Sequence, residues 1–220
     1  MMSFWDTFLP SLLQGWLITL AMLALAIPIS VTLAISLAIG RVYGKRPVSL
    51  LAAGFVGLFR GLPLIVTLLI IFFALPKVGV YFAPFWAAVL GFIFCSGAYQ
   101  SEYVRAAIRS IDMGQSLAAR SLGMSKFREV IHIILPQALI RAFPGISNEI
   151  IYLILYSSLA YVVGVSEMFA VSKHFNSLYF RSIEIFSAAA VVYLVMATTA
   201  SVGFRRLENR LRIPGLEVAR

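Results

Sequence analysis

Three acids sit within or beside apolar runs of the chain: Glu102, Glu149 and Glu167. An ionised side chain is expensive in an apolar setting, so each is a candidate functional group. On a helix, Glu149, Tyr152 and Tyr156 recur at i, i+3 and i+7 and form one polar stripe, with Asn148 and Ser157 beside it. Such a stripe could face a polar cavity in a dimer. A second reading pairs Glu149 with Arg141 as a structural ion pair. Glu102 with Arg105 reads as an interfacial ion pair. Glu167, at the outer end of its run, is either a gate residue or an exposed carboxylate. Arg60 stands inside an apolar run just before Pro63. Either this marks a kinked helix whose arginine faces the dimer interior or snorkels through a broken segment, or the helix begins later and Arg60 marks its inner end. No GxxxxGK[ST] phosphate loop occurs, and His132 and His174 fall on opposite sides of the expected membrane. No catalytic residue, metal or cofactor held by this chain is expected.

The elements that position these residues follow from composition. The chain has 220 residues, 61% hydrophobic and only 12% charged. Its mean hydropathy is +0.94. A soluble domain is roughly half apolar and about a quarter charged, so the bilayer must serve as solvent here. Disorder, a soluble enzyme and a disulfide scaffold are excluded, and Cys95 has no cysteine partner within the chain. The net charge of +9 does not imply nucleic acid, because basic clusters flank apolar runs as they do at the cytoplasmic ends of membrane helices.

The fold class expected is an all-α membrane protein in a single domain over 1–220, with spans at about 12–40, 49–74, 82–101, 144–165 and 185–204. No charge lies between Asp6 and Arg41, and no basic residue precedes this run, so no signal-peptide n-region is expected. With the N-terminus outside, fourteen Lys and Arg fall on the cytoplasmic side against three (Lys77, Lys173, Arg181) outside. The C-terminus and the polar segment 102–141 are then cytoplasmic.

That segment carries a helix–glycine–helix pattern. Residues 116–122 favour helix, Gly123 suits a left-handed helix end, and Phe127, Val130, Ile131 and Ile134 form an amphipathic stripe. Ala118, Ala119, Gly123, Ile133, Leu135 and Pro136 fit a Glu-Ala-Ala, three residues, Gly, nine residues, Ile-x-Leu-Pro frame, with Leu117 at the Glu position. This resembles the EAA loop of importer-type ABC transporter permeases. Phe59-Arg60-Gly61-Leu62-Pro63-Leu64, Ala98-Tyr99-Gln100-Ser101-Glu102 with Arg105, Leu135-Pro136-Gln137-Ala138, and Gly164-Val165-Ser166-Glu167 are similar to segments of the polar-amino-acid branch of that family. Leu155-Tyr156 stand where that branch often has Lys-Asp.

The resemblance implies a noncatalytic subunit in a prokaryotic inner membrane that forms the pathway for a small polar solute. It further implies a second permease subunit, identical or homologous, two cytoplasmic ATPase subunits that bind ATP and Mg, and an extracytoplasmic substrate-binding protein. Leu117, Ala118, Ala119, Leu122, Gly123, Lys126 and Phe127 would form the ATPase-coupling loop. An ion-gradient-driven transporter subunit and a structural subunit of a membrane complex are the rival readings; neither has a use for the 117–136 frame. The charge asymmetry predicts that, on a Cys95-free background, Lys45→Cys and Asn209→Cys are shielded from an impermeant thiol reagent in intact cells while Lys173→Cys is labelled. Labelling at 45 would overturn the topology.

Overall fold

The computed structural model describes residues 4–211, and among these every regular element is helical. Arg212 and Arg220, counted above in the basic tail, lie outside the described residues. Helix α1 (Phe4–Tyr43) is followed by α2 (Arg46–Gly61) and α3 (Leu64–Leu69), which continues through a π turn (Ile70–Ala74) and a 3₁₀ turn (Leu75–Val78). Then come α4 (Pro84–Arg109), α5 (Met113–Ser121), α6 (Lys126–Glu129), a second π turn (Val130–Ile134), α7 (Leu135–Tyr156), a 3₁₀ segment (Ser157–Val163), α8 (Met168–Tyr179) and α9 (Ser182–Leu211).

Three helical stretches are long and apolar enough to cross a membrane: Phe4–Tyr43, Lys126–Val163 and Ser182–Leu211. They contain the expected spans 12–40 and 185–204 and cover 144–163 of the expected 144–165. The expected span 49–74 is not one straight helix. Arg46–Gly61 and Leu64–Val78 qualify only together and are bent by 107°. Pro63 is the cause. The residue before a proline is pushed out of the α region, and Leu62 is extended at φ −96°, ψ 137°. Arg60 therefore lies in the last turn of α2, just before the kink, with its side chain 42% exposed. The region 82–101 is helical from Pro84 but runs on to Arg109, and more than half of α4 is buried. Its polar residues Ser96, Gln100 and Ser101 face protein, which lowers its apolarity without exposing them.

Helix α4 is the centre of the bundle; α1 packs along it most extensively, and α7 and α2 flank it. Two apolar clusters fill the space, one around Met22, Leu68, Phe92 and Leu153, the other around Ala38, Val104, Ile134 and Ala138. Helices α4 and α7 approach closely because Gly145 has no side chain. A Cβ there would lie 2.7 Å from the Tyr103 ring.

The two short helices α5 and α6 form a compact knob. Asp112 caps α5 by accepting the Gly114 N–H at 2.7 Å. Gly123, at φ +74°, closes it: the Gly123 N–H donates to Arg120 O at 2.9 Å and the Met124 N–H to Ala119 O at 3.1 Å, a Schellman ending. Glu129 then binds the two halves together. Its carboxylate accepts from Ser116 Oγ and Lys126 Nζ, each at 2.6 Å, and from Arg120 Nε at 3.4 Å. Lys126 also lies over the Tyr43 ring at 4.9 Å, which fastens the knob to the end of α1.

The Lys126 ammonium, the Ser116 hydroxyl and Arg120 hold the Glu129 carboxyl down at about 2. Glu129 has no exposed surface, yet what covers it is side chains that are themselves 48% and 60% exposed, so charge and hydrogen bonding outweigh desolvation here. A carboxyl depressed on folding stabilises fully above its unfolded value of about 4.3, and that contribution fades as pH falls toward the folded value. Amide exchange across 116–129 is therefore expected to be pH-independent in protection at neutral pH and to lose protection as pH falls from about 4.3 toward about 2. Glu129→Gln should show the loosened knob at neutral pH; unchanged protection in that variant would remove Glu129 as the tie.

Candidate functional site

A cleft of about 450 Å³ opens between α3, α4 and α7, beside the break at Pro63. Two matching stripes face each other across it. Glu149, Tyr152 and Tyr156 come from α7, and Ser96, Tyr99 and Tyr103 from α4; both follow i, i+3, i+7. The α3 side adds Pro63 and Ile65, and Cys95 lines the wall near Thr67, to whose hydroxyl it lies 3.5 Å away. The Tyr152 and Tyr156 rings stack with centroids 6.0 Å apart and planes at 15°. The Ser96 hydroxyl is the polar neighbour of the Glu149 carboxylate, and Arg60 lies within its electrostatic reach. An aromatic wall with a few placed hydroxyls and one acid has the make-up of a small-molecule site.

The helix break is satisfied from within the protein. The Tyr99 hydroxyl donates to Arg60 O at 3.2 Å, and the Leu62 N–H to Leu58 O at 3.1 Å. Irregular backbone in a membrane protein is tolerated where it is buried in protein or lines a cavity, and here Leu62 and Pro63 line the cleft. The Arg60 guanidinium lies over the Tyr99 ring at 5.3 Å. Its other partner is Glu102 at 3.5 Å. Glu102 also binds Arg41 and receives two bonds from Arg105, at 2.5 and 2.9 Å. One carboxylate thus gathers guanidiniums from α1, α2 and α4. The expected Glu102–Arg105 pair is present, with two further partners that spacing along the chain did not indicate.

Several expected site residues are placed differently. Asn148 is exposed and Ser157 is buried, its hydroxyl bonded to Ile154 O at 2.7 Å; neither lines the cleft, because a one-residue step on a helix turns the side chain by about 100°. The Glu149–Arg141 pair does not form: Arg141 donates instead to Ser110 O at 2.6 Å and to its hydroxyl at 3.0 Å. Glu167 is not the exposed carboxylate of one reading. It is fully buried as the N-cap of α8, accepting the Phe169 and Ala170 N–H groups at 2.7 Å each and the Tyr193 hydroxyl at 3.1 Å. It joins α8 to α9.

On the knob, Leu117, Ala118, Leu122 and Phe127 point outward, with Leu122 83% and Phe127 73% exposed. Ala119 does not. It is 4% exposed and packs inside the knob. Lys126 is occupied by Glu129 and Tyr43 and is an internal fastener. The π turn at 130–134 shifts the helical register, so only Val130 and Ile134 of the expected stripe are buried, whereas Phe127 and Ile131 are exposed. Sequence reasoning missed Ser96, Tyr99 and Tyr103. Their spacing repeats that of the Glu149 stripe and was available as a signal.

Residues 26–213 match the family described as binding-protein-dependent transport system inner membrane component. The chain is 33% identical over 212 residues to the L-cystine transport system permease protein of Bacillus subtilis (strain 168), covering 93% of this chain and 89% of that protein. It is 34% identical over 207 residues to the glutamine transport system permease protein of Escherichia coli (strain K12), covering 93% and 94%. Among solved structures it resembles an amino acid ABC transporter crystallised with histidines, with a TM-score of 0.85, 31% identity and coverage of 96% of this chain and 99% of that one. The inward-facing MetNI methionine ABC transporter shares the fold, with a TM-score of 0.78 at 20% identity over 96% of this chain and 100% of that one. With its broken apolar helix, inward-facing polar stripes and projecting knob, the chain belongs to the family of binding-protein-dependent inner membrane transport components, as the noncatalytic permease subunit of an ABC importer whose ATP is hydrolysed by a separate subunit.

Proposed function

We propose that this subunit passes a small polar amino acid through the cleft between α3, α4 and α7, and that its α5–α6 knob receives the movement of the ATPase. The observation that carries the reading is the pair of facing stripes, Ser96/Tyr99/Tyr103 and Glu149/Tyr152/Tyr156, beside a helix break. A lipid-facing surface has no use for an acid and four tyrosine hydroxyls. The relatives named for cystine and glutamine transport support the solute class.

The rest of the assembly follows the same reading. The chain crosses an inner membrane five times, counting the bent α2–α3 pair and α4, with its N-terminus outside and its C-terminus and knob in the cytoplasm. Two permease subunits, identical or homologous, enclose the path. Two ATPase subunits hold ATP and Mg and take up the knob, and a substrate-binding protein delivers the solute from outside. Leu117, Leu122 and Phe127 supply apolar contact, each worth roughly 1.5–3 kcal/mol on full burial. Leucine at 117 replaces an acid whose burial would require a partner.

Glu149→Gln should lower uptake by about tenfold or more, equivalent to ~1.4 kcal/mol, while the subunit still co-purifies with its ATPase; unchanged uptake of L-glutamine, L-arginine and L-cystine would remove Glu149 from the path. Leu122→Asp, at a largely exposed position, should leave the subunit folded and abolish solute-stimulated ATP hydrolysis. Gly123→Val should do the same through the backbone. No atom lies within 4 Å of a Cβ built there, so its effect comes from forcing a β-branched residue to positive φ, at about 1–3 kcal/mol. Ala119→Asp, being buried, should instead disrupt the knob itself, seen as lost amide protection over 113–129. Normal stimulated hydrolysis in both Leu122→Asp and Gly123→Val would take the knob out of the coupling path.

A further inference from the structure

Behind the cleft a polar line runs from α7 through α4 to α1. Glu149 lines the cleft, with the Ser96 hydroxyl as its polar neighbour. One turn further along α4, Gln100 is fully buried and is not among the residues that line the cleft. Its amide nitrogen donates to Ser96 Oγ at 2.8 Å and to Ser30 Oγ of α1 at 3.3 Å. The direction of these bonds follows from the number of hydrogens present. Each serine carries one O–H. Ser30 uses its own on Ile27 O at 2.9 Å, so its oxygen can serve Gln100 only as an acceptor. The amide must therefore turn its NH₂ group, with two hydrogens, toward the serines. Ser96 Oγ then accepts from Gln100, its hydrogen is directed away from that bond, and the polar group on the other side is the Glu149 carboxylate. The same arrangement leaves Gln100 Oε1 buried without a hydrogen-bond partner among the described residues. A buried amide oxygen left unmet lowers stability, and an apolar side chain of similar length would avoid that loss. Stability alone does not explain a glutamine here; the donor on its other edge does.

We propose that Gln100 is a positioning residue for the wall that carries Glu149. By donating to Ser96 it holds the serine hydroxyl as a donor to the Glu149 carboxylate, and through Ser30 it anchors that bond to α1. Gln100 itself touches no solute. The inference rests on the reading of Glu149 as a residue of the solute path and adds the side chains that hold it in place. A glutamate has three rotatable side-chain bonds, and without a fixed donor its carboxylate has several staggered orientations open to it. A network in which every hydrogen has one assigned acceptor selects one of them. It also gives α1, whose residues do not line the cleft, a direct connection to it.

The test uses the complete transporter in proteoliposomes and, as probe, whichever of L-glutamine, L-arginine and L-cystine the wild type takes up. The probe is radiolabelled and accumulation is followed long enough to read rates far below wild type. Gln100→Met should lower the uptake rate at saturating solute by at least about fivefold, while the melting temperature of the complex stays the same or rises. Gln100→Leu is read beside it, so that one assembling variant suffices. Ser96→Ala alone should also lower uptake. On the Ser96→Ala background, Gln100→Met should change the rate by less than about twofold, because the hydroxyl it positions is gone. A merely structural glutamine would lower the melting temperature and would act alike on both backgrounds. Uptake of none of the three probes, or unchanged uptake with Glu149→Gln, would defeat the reading of the path and this inference with it. Where Glu149→Gln does lower uptake, any of four results would overturn the positioning role alone: normal uptake in the assembling Gln100 variants or in Ser96→Ala, failure of both Gln100 variants to assemble, a loss of uptake accompanied by a fallen melting temperature, or a loss of full size on the Ser96→Ala background.

Discussion

Within hydrocarbon a polar group has no water to fall back on, so each one must find its partner inside the protein. At the edge of the apolar runs charged groups also need partners, and the helices meet around one acid. Glu102 draws Arg41 from α1, Arg60 from α2 and Arg105 from its own helix to a single carboxylate. Pro63 fixes where α2 ends, and the meeting point holds Arg60, in the last turn of α2, beside Tyr99. The break frees backbone carbonyls, and Tyr99, one turn before Glu102 on α4, supplies the hydroxyl that binds one of them. The cleft is what remains between the broken helix and the two polar stripes. Glu167 meets the same demand at another place, where it caps α8 and receives Tyr193 from α9.

The knob and the cleft share one helical rod. Lys126–Val163 runs without interruption from the knob, through the π turn, past Glu149 and on to the 3₁₀ segment. Glu129 binds α5 to the start of this rod, and Lys126 binds the same point to the end of α1 at Tyr43. Phe127 is therefore joined to the wall that carries Glu149 by continuous helical backbone. A rigid knob also accounts for Leu117 in the place of an acid. The carboxylate that stiffens the loop is supplied by Glu129, and the 117 position is free to present apolar surface.

Much of this was legible in the sequence because periodicity and composition record burial. The uninterrupted apolar run after Asp6 and the runs before Val165 and Phe204 became the long helices, and Gly123 took the left-handed conformation its place in the pattern demands. The Glu149/Tyr152/Tyr156 stripe was legible for the same reason. Asn148 and Ser157 were misplaced because nearness along the chain is not nearness on a helical face. Ala119 read as a contact residue because a small side chain permits close approach, but the approach is by its own chain. The cap that Glu167 forms is local, to Phe169 and Ala170, but its tie to Tyr193 was unreadable, since Tyr193 is distant in sequence. The triple use of Glu102 was unreadable likewise: Arg41 is 61 residues away. The π turn at 130–134 leaves no mark in the hydrophobic pattern, yet it rotates every side chain beyond it.

If the rod transmits ATPase closure to the cleft, the separation of its α3 and α7 walls must follow the nucleotide state and depend on the knob. Spin labels at Ile65→Cys and Leu155→Cys, in the complete transporter on a Cys95-free background, report that separation by pulsed electron resonance with and without ATP. A shift in the distance on ATP binding, abolished when Gly123→Val is added, is the result expected. A shift of the same size with Gly123→Val present, in a complex that still binds ATP, would contradict coupling through this rod.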